Sequence, residues 1–104
     1  MLLDGEYEIV FPEGFDGVEW EAEAKGWLQG VTVVIGARRY RVTFYDPTRL
    51  AQDIEEELRS KAVFLEANVL VVPAVTRVEM EKAIGSVVKA GGQLDLIPEG
   101  HRSP

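Results

Sequence analysis

The side chains that could carry chemistry are few, and their spacing assembles no catalytic site. The three serines, Ser60, Ser86 and Ser103, all lie outside the G-x-S-x-G elbow that exposes a nucleophile at a strand-to-helix turn. The single histidine, His101, falls in a polar tail, where nothing would hold it in register with a nucleophile. The absence of cysteine removes thiolate nucleophiles, disulfides and cysteine-based zinc sites. Metal ligation is then left to carboxylates, which suit calcium or magnesium. Asp53, Glu56 and Glu57 lie close together on an expected helix, but no calcium-loop pattern surrounds them, so neither a metal nor a cofactor is expected. Phosphate-binding loops need closely spaced glycines after a strand and before a helix. Here Gly91-Gly92 follows a helix instead. The reading is therefore non-enzymatic.

What remains is charge. The chain carries 18 acids against 11 bases, for a formal net charge of −7. Residues 1–24 hold eight of those acids (Asp4, Glu6, Glu8, Glu13, Asp16, Glu19, Glu21, Glu23) and no base. Acids and bases nearly cancel in the rest of the chain. Such a segment repels nucleic acid and anionic membranes and attracts basic partners. The basic cluster Arg38-Arg39-Tyr40-Arg41 has the interleaved aromatic of a nucleic-acid surface. Strand alternation explains it more simply, with Tyr40 inward and Arg39 and Arg41 outward, free to meet Glu19, Glu21 or Glu23.

Length and composition place these residues on one small globular domain. The chain has 104 residues, 46% hydrophobic and 28% charged, enough for one modest core. No apolar run approaches the ~20 residues of a membrane span. Met1-Leu2-Leu3 runs straight into Asp4-Gly5-Glu6, so no signal peptide is expected. The lack of disulfides fits a cytoplasmic setting.

The elements follow from periodicity. Ala62 to Ile97 reads as strand, helix, strand. Val69-Leu70-Val71-Val72 is continuously apolar, which marks a central strand covered on both faces. Thr76 and Glu79 form a capping box, with Val75 and Met80 as a hydrophobic staple. Met80, Ala83, Ile84, Val87 and Val88 make the apolar stripe of the helix, and Gly91-Gly92 its left-handed exit. Gly85 inside that helix costs roughly 1 kcal/mol against alanine; close approach of another backbone or simple tolerance accounts for it equally. Gln93 to Ile97 reads as a final strand.

Upstream, Glu6–Phe11 alternates, with Tyr7, Ile9 and Phe11 on one side and Glu6, Glu8 and Val10 on the other. Val18–Lys25 alternates too, and the two segments read as an antiparallel hairpin with its glutamates on one face. A strand from Trp27 through Ile35 and another over Arg39–Tyr45 complete a four-stranded meander. Asp46-Pro47 caps a helix whose stripe is Leu50, Ala51, Ile54 and Leu58. Pairs Glu55–Arg59 and Glu57–Lys61 lie on its solvated face. The order is ββββαβαβ: an α+β two-layer sandwich, residues 1–98, with a mainly antiparallel sheet, two helices on one face, and a disordered tail at 99–104.

Two functions are compatible with this reading. The first is a non-catalytic module whose acidic hairpin docks or neutralises a basic protein, in its most specific form an immunity-type inhibitor of a toxin. Glu6, Glu8, Glu19, Glu21 and Glu23 would steer the partner, and Trp20 would anchor it. The second is a small α+β domain that self-associates as a homodimer or holds a small molecule in a cleft beside Trp20 or Trp27. Nucleic acid and membranes are not expected partners.

Overall fold

A computed structural model of the chain describes residues 6–100. It is an α+β fold built on one four-stranded sheet. Strand β1 (Tyr7–Val10) leads through a 3-10 turn (Phe15–Gly17) to helix α1 (Glu19–Lys25). Strands β2 (Trp27–Ile35) and β3 (Arg38–Tyr45) form a hairpin. Helix α2 (Pro47–Leu58) crosses to strand β4 (Val69–Val71), and helix α3 (Arg77–Lys89) ends in a second 3-10 turn (Gly92–Asp95). The strands lie in sequence order, antiparallel from β1 to β3, while β4 pairs parallel to β3.

Strand alternation sets the core. Val31, Val33 and Ile35 of β2 and Tyr40, Val42 and Phe44 of β3 share one face, packed against Ala22 of α1, Met80 and Ile84 of α3, and Phe15. Between Leu28 and Val31 the register shifts by a residue, and Gly30 takes the left-handed conformation (φ 78°) that such a bulge requires. The bulge lets Leu28 and Val31 both face the core side. The two longer helices start where their caps dictate. The Asp46 carboxylate accepts the Arg49 N–H at 2.7 Å, and the Thr76 hydroxyl accepts the Glu79 N–H at 3.2 Å.

Several expectations are corrected. Val18–Lys25 is not a strand: Glu19–Lys25 is helical, closed by Gly26, whose N–H bonds the carbonyls of Ala22 and Glu23. Its residues are nearly all glutamate, alanine and lysine, strong helix formers that strands avoid, and that preference outweighs the two-residue alternation. Gln93–Ile97 is not a strand either. It turns as a 3-10 helix, with the Leu96 N–H on the Gln93 carbonyl, and Leu94 is exposed. Consequently β4 lies at the sheet edge and not at its centre, and Val71 is 49% exposed. The order is βαββαβα, the sheet is mixed, and the helices do not share one face. α1 and α3 cover the core face. α2 contributes nothing to the core and meets the sheet from the other side, through Trp27 and Tyr45.

The part of β3 that β4 does not reach is closed by other groups. Asn68, in the left-handed region at φ 56°, donates from its side-chain amide to the carbonyls of Arg41 and Ile97. Its amide oxygen accepts the Ile97 N–H at 2.8 Å. Further on, the Glu99 N–H donates to the Arg39 carbonyl, and the two side chains pair at 3.3 Å. Of the expected disordered tail, Glu99 and Gly100 are described and residues 101–104, with His101, lie outside the described residues.

Candidate functional site

The acidic residues are brought together by an arginine from elsewhere in the chain. Phe11 and Phe15 stack with ring centroids 4.7 Å apart. The Arg77 guanidinium lies 4.6 Å from the Phe11 centroid and 5.2 Å from that of Phe15. It also pairs with Asp16 and, at 3.3 Å, with Glu19. One side chain at the start of α3 thus ties β1's exit, the 3-10 turn and α1 into one surface. A base in a helix's first turn opposes the helix dipole, so Arg77 at that position was a readable sign of an external partner.

Around this joint the acids separate into two groups. Glu8, Glu13 and Asp16 line a groove of about 460 Å3 floored by Phe11 and Phe15. Glu19, Glu21 and Glu23 belong to α1, where helical spacing at 100° per residue spreads them round the axis. Glu19 and Glu23 stand together, while Glu21 lies on another side and approaches Lys25 at 3.9 Å. The single glutamate face of a hairpin does not exist. Nor do Arg39 and Arg41 meet these glutamates: Arg39 pairs with Glu99. Among the described residues, Glu8, Glu13 and Glu23 form no ion pair. Glu8 is exposed on β1, and so is Glu6 just before that strand.

Trp20 is 66% exposed on α1. Helical spacing puts Ala24 and Glu23 beside it, so an apolar surface adjoins an unpaired carboxylate. Trp27 is placed differently. The Arg49 guanidinium lies 5.4 Å from its ring, and the cavity it borders with Phe15 and Leu28 measures about 180 Å3, below the size of ordinary ligand pockets.

The strongest electrostatic perturbation lies away from this surface. Tyr45 is 3% exposed; its hydroxyl donates to Glu66 at 3.1 Å and faces Asp53. Burial, and then the two carboxylates, push the phenol's pKa well above its ordinary value. Asp53 is itself held by Arg49 at 2.8 Å. This cluster fastens α2 to the sheet. Among the described residues there is no metal-holding group of acids and histidine, and no helix long and apolar enough to cross a membrane.

Neither a family model, a curated protein nor a solved structure matches this chain.

Proposed function

We propose that the protein is a non-catalytic binding module that docks a basic protein on the surface formed by β1, its exit turn and α1. The observation that supports it best is Trp20, two-thirds exposed in a stretch that carries acids and no base from Glu6 to Ala24. An exposed tryptophan needs a reason, because large aromatics are the usual anchors of interfaces. The carboxylates supply long-range attraction and the ring supplies contact area. An immunity-type inhibitor of a basic toxin is the most specific form of this reading. The test is a low-salt pull-down from host lysate with the wild type and a variant carrying Gln at Glu6, Glu8, Glu19, Glu21 and Glu23. A basic protein retained by the first and lost by the second is expected. Identical lanes would make the glutamates a solvated face.

A second reading, self-association, has its own observation. Leu58, Val63, Leu65 and Val71 are exposed around the α2–β4 connection, Leu65 at 89%. A dimer through them would appear in light scattering at high concentration, and a monomer there removes it.

A further inference from the structure

Resting on the acidic-module reading, we infer that the partner engages β1 as an added strand, through an extended segment carrying lysine or arginine. Among the described residues β1 is an edge strand, paired only to β2. The Gly36 N–H bonds the Glu6 carbonyl, which makes Glu6 and Gly36 a hydrogen-bonded pair. Antiparallel alternation then turns the backbone groups of Glu8 and Val10 toward β2 as well. The N–H and C=O groups of Tyr7 and Ile9 therefore point outward, a short ladder ready for another chain.

Side-chain positions flank that ladder on both sides. Toward α3 lies a cavity of about 230 Å3 lined by Tyr7, Ile9, Phe11, Arg77 and Glu81. Arg77 is occupied by Asp16 and Glu19 there, while Glu81 is exposed and forms no ion pair among the described residues. On the open face Glu8 and Val10 stand beside the edge. A strand laid on β1 would send alternate side chains to Glu81 and the Tyr7 ring on one side and to Glu8 on the other. The same charges choose between occupants. A second copy pairing antiparallel about Glu8 would set that glutamate against itself, which weakens a sheet. A basic segment meets complementary charge at the same positions.

The experiment uses the whole chain, isotopically labelled, and two probes of equal charge. One is an eight-residue alternating Lys-Val peptide; the other is the same peptide with every backbone amide N-methylated, which keeps the charge and cannot donate to a ladder. At low salt the Lys-Val peptide should bind about tenfold more tightly and slow hydrogen exchange at the Tyr7 and Ile9 amides. The variant Glu8→Lys, an exposed change that leaves the core untouched, should lose that binding. Equal affinity for both peptides, with no protection at Tyr7 and Ile9, overturns strand addition and leaves the acidic-module reading standing. Binding of neither peptide overturns both.

Discussion

Tyr45 shows how far a single residue's behaviour depends on neighbours that are distant in sequence. Alternation along β3 turns it away from the core, yet α2 and Glu66 bury it. The folded chain holds the phenol proton more tightly than the unfolded chain does. Stability is therefore unaffected by this group below its ordinary pKa of 10.0 and falls as pH rises above it. In Tyr45→Phe the loss of stability above that pH should become shallower, by up to about 1.4 kcal/mol per pH unit, as measured by urea unfolding at a series of alkaline pH values. An unchanged slope would mean that Tyr45 titrates normally. Gly26 makes the opposite point, because its role is local. It sits at φ 70°, closing α1, and a Cβ there would strike the Asp46 carboxylate that caps α2. Gly26→Ala should cost about 2–3 kcal/mol, from left-handed strain and a disturbed cap together. Denaturant unfolding would check it. The caps at Asp46 and Thr76 were legible in the sequence because a cap involves residues three apart. Tyr45's burial was not, because its cover comes from another element.

At the scale of elements, the sequence was most readable where pattern and propensity agree. β2, β3, α2 and α3 lie where their periodicities place them, within a residue or two at the ends. Val18–Lys25 misled because a two-residue alternation was carried by alanine and glutamate, residues that choose helix. The apolar run at β4 misleads because continuity suggests double coverage; with no strand after α3 among the described residues, it remains at an edge. Gly85 can now be assigned a neighbour, and it is not a backbone. A Cβ there would stand 3.0 Å from the Tyr7 hydroxyl. Tyr7 is 39% exposed and its ring end can yield. Gly85→Ala should therefore gain most of the roughly 1 kcal/mol of helix propensity and raise Tm by about 4 °C. A lower Tm in calorimetry would show that Tyr7 is held firmly against α3.

For the whole molecule, the charge asymmetry was plain in the sequence and its arrangement was not. Counting acids located the acidic surface; only the fold shows Arg77 pairing with Asp16 and Glu19 while Glu8, Glu13 and Glu23 form no ion pair among the described residues. In the proposed docking that division separates two contributions: the unpaired carboxylates would act at long range and be screened by salt, whereas Trp20 would act by contact and would not. The most direct test is calorimetric titration of the partner recovered from lysate at low and high salt, with the wild type and Trp20→Ala. Affinity should fall with salt in both proteins, and Trp20→Ala should lose at least about tenfold at either salt, the loss expected of an interface anchor. An affinity indifferent to salt and to Trp20 would contradict docking on this surface.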